Sequence, residues 1–388
     1  MAIPLSYNIR NLRVRKATTA MTALGIALTV AVLLGIMALV GGLRAALSVT
    51  GDPLHVMLTR QGSTSELTSV LTDEKFQVVK FMPGIAQIGR EPAASHELVT
   101  VISLPLRTNP AEEGNINIRG ISAIGMKMRA GLKLVEGRWF DPGKREVAVG
   151  AALQGIRAHT SVGDKLEFGR GEWEVVGIFD AGKSAYNSEI WADGNFVTAD
   201  YGRDTARSSI LVRATDPAAA QALMNRVADD QRLVLDGEFE RDYYAKQMTA
   251  AAPVQSLGLF VAAIMAIGSS FAAMNTMYAA VARRAREIGV LRVLGFSRGS
   301  ILVSFLIESL ALSLLGGLLG CVLALPLNGI QTRIGNFVTF SETAFEFQIT
   351  PDSILAAIVF AAVMGVLGGI LPARMAARRD ILTSLREL

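Results

Sequence analysis

Residues Gly177-Ile-Phe-Asp-Ala-Gly-Lys-Ser184 match the pattern G-x-x-x-x-G-K-[ST] letter for letter. In a phosphate loop of that form, backbone N–H groups cradle phosphates and the lysine reaches the terminal ones. The surroundings argue against that chemistry here. Ala185-Tyr-Asn-Ser-Glu-Ile-Trp191 does not read as a helix, so the helix terminus that would complete an anion cradle is not expected. Leu233-Val-Leu-Asp236 is too weak to serve as a metal-binding partner strand. His55, His96 and His159 are far apart and no HExxH or CxxC accompanies them, so no metal site is indicated. Nothing resembles a nucleophile elbow. The expectation is a chain with no catalytic residues and with no cofactor or metal of its own.

A second cluster offers chemistry of a different kind. Between Arg283 and Arg298 lie five arginines and one acid, Glu287, set among Ile288, Val290, Leu291, Val293 and Leu294. The apolar positions recur at helical spacing, which predicts a short helix with an apolar face and a cationic face. Long uncharged segments stand on both sides. A positive loop between two membrane spans fixes topology, and a helix there is also placed to touch a cytoplasmic partner. Glu308 is the one charged residue inside the third span, about 12 Å along the helix from Ser300. An ionisable group at that depth is costly and raises a functional question. A serine, threonine or backbone carbonyl is the expected structural partner, with a coupling role as the alternative.

These residues must be held by membrane helices. The chain has 388 residues, 51% of them hydrophobic, and a mean hydropathy of +0.39, too apolar for an ordinary soluble protein. Four segments meet the need for about 20 apolar residues: 17–43, 253–282, 300–325 and 353–373. The first is too long for the apolar region of a signal peptide, so a retained span is expected. Around these, 1–16, 283–299 and 374–388 carry thirteen basic residues against three acidic ones, although the whole chain has a net charge of only +4. Positive segments stay inside. That puts both termini and the 283–299 loop in the cytoplasm, and 44–252 outside. The basic balance reflects topology rather than nucleic-acid binding. Residues 1–16 place Leu5, Ile9 and Leu12 beside the basic cluster, as in an interfacial helix.

Residues 44–252 read as an α+β domain. Lys165 to Phe168 and Glu172 to Phe179 alternate around Gly169-Arg-Gly171, predicting a β-hairpin with a three-residue turn. Val99 to Leu104, Asn115 to Ile121, Glu146 to Val149 and Ser209 to Val212 are further strand candidates, and 216–229 a helix with Pro217 in its first turn. Helical stalks are expected from Arg44 onward and from Glu238 to Thr249, with Pro253 kinking the second. Cys321 is the only cysteine and lies in a span, so the outer domain has no disulfide. Residues 326–352 are left as a short outer loop. The pairs Gly316/Gly320 and Gly365/Gly369 would let helix backbones approach closely in lipid.

The 283–298 stretch resembles the FtsX-like permease domain of ATP-driven transporters, in particular the MacB type. The resemblance rests on Arg283-Arg-Ala-Arg-Glu287-Ile288-Gly289, Arg292-Val-Leu-Gly295, Glu308-Ser309 and Gly316-Gly317. Leu24-Gly25-Ile26 in the first span and Leu371-Pro-Ala-Arg-Met-Ala-Ala-Arg378 near the end are similar to the family's segments. So are Gly137-Arg-Trp-Phe-Asp-Pro142 and the Val162-Gly-Asp-Lys-Leu166 region. Asp380-Ile-Leu-Thr-Ser-Leu-Arg386 lacks the family's usual proline.

The resemblance implies a non-catalytic permease subunit in a bacterial inner membrane. A separate ATPase, in two copies, would hold ATP and Mg. A second permease subunit would pair with this one as a homodimer or heterodimer, and a periplasmic adaptor or outer-membrane partner is a further possibility. Residues Arg283, Arg286, Glu287, Ile288, Gly289, Leu291, Arg292, Leu294 and Gly295 would then couple to the ATPase. Glu308, Gly316, Gly320, Gly365 and Gly369 would serve helix packing or coupling. Few polar groups line the spans, which favours transmission of movement to the outer domain, for export of a substrate, over a pore. Two alternatives stand beside this. One is a lipoprotein-releasing or cell-wall-hydrolase-regulating member of the same superfamily. The other is a membrane-anchored sensor or enzyme without an ATPase.

Overall fold

The computed structural model describes residues 16–129, 131–203, 206–247, 252–335 and 341–378. The chain divides into two compact units. One holds residues 1–41, 253–330 and 347–388, and the other holds 42–252 with 331–346.

The first unit contains four helices long and apolar enough to cross a membrane. They lie within Lys16–Val49, Ala252–Arg283, Arg298–Ala324 and Pro351–Arg378. The first continues past Leu43 through Arg44 to Val49, because nothing in Arg44-Ala-Ala-Leu-Ser breaks a helix. Pro253 is the second residue of its helix, where a missing N–H costs nothing. The proposed rod across 248–251 lies outside the described residues, as do positions 1–15 of the interfacial helix expected over 1–16 and positions 379–388 of the tail expected over 374–388.

Small residues bring these helices together. A Cβ on Gly316 would lie 2.8 Å from the Ala23 carbonyl oxygen, and one on Gly320 would lie 2.6 Å from that of Ala27. The third helix therefore rides directly on the backbone of the first. Gly365 and Gly369 face Ser313 and Ser309 of the third helix. The Ser309 hydroxyl donates to the Gly365 carbonyl at 2.7 Å. Thr29 and Ser269 join the first and second helices at 2.7 Å. Both glycine pairs thus serve contacts within this one chain.

The second unit is built on a ten-stranded sheet. In chain order its strands are β1 (His55–Arg60), β2 (Ala94–Pro105), β3 (Glu113–Ile121), β4 (Lys133–Gly137) and β5 (Glu146–Gly150). They continue as β6 (Lys165–Phe168), β7 (Gly171–Asp180), β8 (Glu189–Asp193), β9 (Ser209–Arg213) and β10 (Leu235–Phe239). The spatial order is β10-β1-β9-β2-β3-β8-β5-β7-β4, with β6 on β7. Strand β2 bridges two halves: 94–97 pair with β9, whereas 98–105 pair with β3. Each half has its own apolar core, one around Ile118, Val149, Trp173 and Ile190, the other around Val56, Leu58, Val212 and Leu223.

Three expectations change here. The β6–β7 turn has two residues, Gly169-Arg170, because Gly171 already pairs with Phe168. Gly169 takes the positive φ (+61°) that a tight turn needs. The expected helix from Glu238 begins instead at Glu240, since Glu238 and Phe239 pair with Met57 and Val56 as the edge of the sheet. The stretch 326–352 is more than a loop. It carries a β-hairpin, β11 (Gln331–Gly335) and β12 (Glu342–Glu346), which belongs to the second unit. Glu342 pairs there with the buried Arg157, and the Ala344 N–H donates to the Ser188 hydroxyl at 2.9 Å.

Candidate functional site

The stretch after the second membrane helix folds as the sequence predicts, into a helix over Ala285–Val293. Its end is explained by one residue. Gly295 adopts φ +92°, the left-handed conformation that closes a helix cheaply only at glycine. The Phe296 N–H reaches the Leu291 carbonyl at 3.1 Å and the Gly295 N–H reaches that of Arg292 at 3.2 Å, a Schellman pair. Arg292 adds a bond from Nη1 to the Phe296 carbonyl at 3.2 Å. Two residues later the Ser297 hydroxyl caps the next helix, accepting from the Ser300 N–H at 3.1 Å. Arg292-Val-Leu-Gly295 thus encodes a helix stop and a turn.

One side of the 285–293 helix is occupied. Ala285, Ile288 and Gly289 are buried. Ile288 packs with Ile301 and Phe305 of the third membrane helix and with Ala373 and Ala376 of the fourth. The other side is open: Arg283, Arg286, Glu287, Val290, Val293 and Leu294 are all exposed. Positions 286, 290, 293 and 294 form one stripe at helical spacing. Leu291, expected on the open apolar face, is half-buried, while Val290 and Val293 stand out. Sequence alone could not divide five apolar residues between two faces without knowing which helices lie beneath.

Glu308 does not take the serine, threonine or carbonyl partner expected for it. The Arg284 Nη1 donates to its carboxylate at 2.9 Å, and both side chains are buried. Arg284 also reaches Glu287 at 3.2 Å and lies 5.0 Å over the Phe305 ring. Glu287 thus pairs with Arg284 at a spacing of three residues. Arg284 was indistinguishable from the other arginines in sequence. The carboxylate 24 positions on was its only signal.

The outer unit holds a second polar cluster. The Arg119 guanidinium, 1% exposed, donates to Glu66, Glu97, Glu189 and the Tyr244 hydroxyl at 2.8–3.3 Å. Arg129 makes a forked contact with Glu97 at 2.7 and 2.8 Å. Burial alone would raise the Glu97 carboxyl, but the charges of Arg129 and Arg119 overcome this and hold it below the ordinary value.

The phosphate-loop pattern falls in a setting with no free cradle. The Gly182 N–H is taken by the Asp180 carboxylate at 2.7 Å, and the Ala181 N–H by Asn187 Oδ1 at 3.1 Å. A one-turn 3-10 segment, Ala185–Ser188, follows, and then β8. His55 pairs with Glu240 and His96 with Asp73. Among the described residues no group of three or more His, Cys, Asp or Glu is placed to hold a metal.

Residues 19–230 match the MacB-like periplasmic core domain family and residues 259–381 the FtsX-like permease C-terminal family. The chain is 33% identical over 242 residues to the pyoverdine export ATP-binding/permease protein PvdT of Pseudomonas putida, covering 58% of this chain and 35% of that protein. It is 25% identical to the macrolide export ATP-binding/permease protein MacB 1/2 of Paracoccus denitrificans, over all of this chain and 59% of the relative. An uncharacterized ABC transporter permease of Methanocaldococcus jannaschii, MJ1507, is 26% identical over 68% of this chain and 69% of its own length. The chain thus spans about a third to three-fifths of the length of the ATP-binding/permease relatives. Among solved structures, the periplasmic region of MacB from Actinobacillus actinomycetemcomitans aligns with 14% identity and a TM-score of 0.37, covering 50% of this chain and 92% of that one. From the two family matches, one spanning more than half of its length, the chain belongs to the ABC transporter permeases of the MacB type, with an FtsX-like permease domain and a MacB-like periplasmic domain.

Proposed function

We propose that this permease couples ATP hydrolysis on a separate ATPase chain to movement of its outer domain, and that this movement drives export of a substrate. The observation that carries the reading is the divided helix Ala285–Val293. Its inner side is fixed to the third and fourth membrane helices through Ile288 and through the Arg284–Glu308 pair. Its outer side offers Arg286, Glu287, Val290 and Leu294 to a partner. A groove that takes the outer side would pull on the membrane helices through the inner side. The printed names of the relatives join ATP-binding to permease and speak of export, whereas MJ1507 is named a permease alone. The basic flanks support an inner-membrane topology with both termini and the 285–293 helix in the cytoplasm. ATP and Mg belong to the partner ATPase, two copies of which would serve two permease subunits. An adaptor or outer-membrane partner would meet the periplasmic domain.

The test is pull-down of the partner ATPase with Glu287→Lys and Leu294→Asp chains, with export assayed beside it. Glu287 is more than half exposed, so its contact with Arg284 contributes at most about 1 kcal/mol to folding. A charge that loses its partner in an interface costs about 2–5 kcal/mol. The expected result is a folded, inserted permease whose ATPase association falls at least ~10-fold. Normal association and normal export in both variants would reduce the helix to a topology anchor.

A further inference from the structure

The first membrane helix runs to Val49 and leads into the outer domain through Thr50 to His55, and the helix Glu240–Gln247 leads out towards the second. Both connections meet at one carboxylate. Glu240, 0% exposed, accepts from the Asp52 N–H at 3.3 Å, from His55 Nδ1 at 2.7 Å and from the Tyr186 hydroxyl. The Arg129 guanidinium stands 3.9 Å away.

The surrounding backbone is shaped for this meeting. Gly51 has φ +94°, and a Cβ there would lie 2.9 Å from Glu240 Cγ, so only glycine lets the incoming segment pass this close. Its carbonyl accepts from Arg241 Nε at 3.3 Å. Thr50 Oγ1 accepts the Ala185 N–H at 2.7 Å, tying the incoming segment to the turn that carries Tyr186. One turn further along the outgoing helix, the Tyr243 hydroxyl accepts the Glu66 N–H at 3.0 Å, and the Tyr244 hydroxyl accepts from Arg119. Positions 240, 243 and 244 share one helical face, and that face plugs into the Arg119 cluster. Burial would raise the Glu240 carboxyl, but the His55 hydrogen bond and the Arg129 charge outweigh it and hold the group at about 2. The carboxylate therefore stays ionised at neutral pH.

We infer that Glu240 is a positioning residue that clasps the incoming and outgoing connections of the outer domain together, so that the two move the domain as one lever. The transport consequence rests on the coupling proposed above; the clasp does not.

The experiment places spin labels at Ser48 and Asp242, both exposed, in the full chain carrying Cys321→Ala. The parent should give one narrow distance distribution, and Glu240→Ala should broaden or split it. Tyr186→Phe removes one bond to Glu240 and keeps the ring against Trp191 and Tyr244. It should broaden the distribution less, and it decides the matter if Glu240→Ala does not fold. An unchanged distribution in a folded Glu240→Ala chain, or in Tyr186→Phe when the former fails to fold, overturns the clasp. In the assembled transporter, Tyr186→Phe should leave ATPase association intact while export per ATP hydrolysed falls. Unchanged export per ATP beside a broadened distribution would overturn the lever. Normal ATPase association and normal export in both Glu287→Lys and Leu294→Asp, beside a broadened Glu240→Ala distribution, would sink the coupling reading and leave the clasp standing.

Discussion

In the outer domain Arg119 is enclosed by Glu66, Glu97 and Glu189, whereas between the membrane helices the buried polar atoms include the hydroxyls of Thr29, Ser309 and Ser313. The outer domain folds from water, where apolar surface drives collapse and a buried charge must meet its counter-charges at good geometry. Its two apolar cores leave a seam where β2 changes partners at Glu97, and the charge network fills that seam. In lipid, apolar side chains gain nothing by leaving the solvent, so close backbone approach and short hydrogen bonds hold helices together. Gly316, Gly320, Gly365 and Gly369 supply the approach, and Arg284–Glu308 is a buried ion pair beside the 285–293 helix. One chain therefore has two kinds of joint: a many-partner charge cluster within the second unit, and tight glycine contacts with an ion pair within the first.

Removing the hub of the cluster is the harshest way to break this contrast. Arg119→Met would leave the buried carboxylates Glu66 and Glu189 without their cation and Glu97 with Arg129 alone, a loss of about 3–5 kcal/mol. Denaturant unfolding of the full chain should show the outer domain destabilised by that amount, with the membrane helices still inserted. A stability within about 1 kcal/mol of the parent would mean that the cluster fills space and does not organise the seam.

The second prediction uses pH. Burial first, and then the charge of Arg207, push His96 down to about 4, against the pull of Asp73. The unfolded chain takes up its proton near 6.5 and the folded chain near 4, so the unfolded state binds more protons in between. This contribution to stability is present above pH 6.5 and is lost as pH falls towards 4, approaching about 3 kcal/mol. Melting temperatures between pH 7 and 4.5 should fall more steeply for the parent than for His96→Gln. Parallel curves would remove His96 from the account.

The smallest effect belongs to the membrane unit. In Gly320→Ala the new methyl would lie 2.6 Å from the Ala27 carbonyl oxygen, which as backbone cannot swing away. Overpacking of this kind costs about 1–3 kcal/mol. Gly268, where an added methyl would meet nothing within 4 Å, is the control. Gly268→Ala should be neutral or stabilising by up to about 1 kcal/mol. Equal behaviour of the two in detergent unfolding would deny the glycine pair its packing role.

Much of the architecture was legible because its causes are local. Twenty apolar residues in a row announce a span, and alternation marks strands such as β3 and β7. The hairpin at 331–346 escaped notice because its strands are short and outside any strong alternation. They become strands by pairing with each other, and β12 is held by Ser188 and Arg157.

The sequence by itself determined the four apolar helices, the cationic helix between the second and third, and the mixed α and β character of the outer domain. Each follows from hydrophobicity and periodicity within a window of one element. Only the tertiary structure decided which charges are buried and with whom. Arg284 meets Glu308 across 24 residues, and Arg119 meets carboxylates up to 70 positions away. Glu240 meets His55 across 185. Pairing energies depend on distance and burial in space, and neither quantity is written in the spacing along the chain.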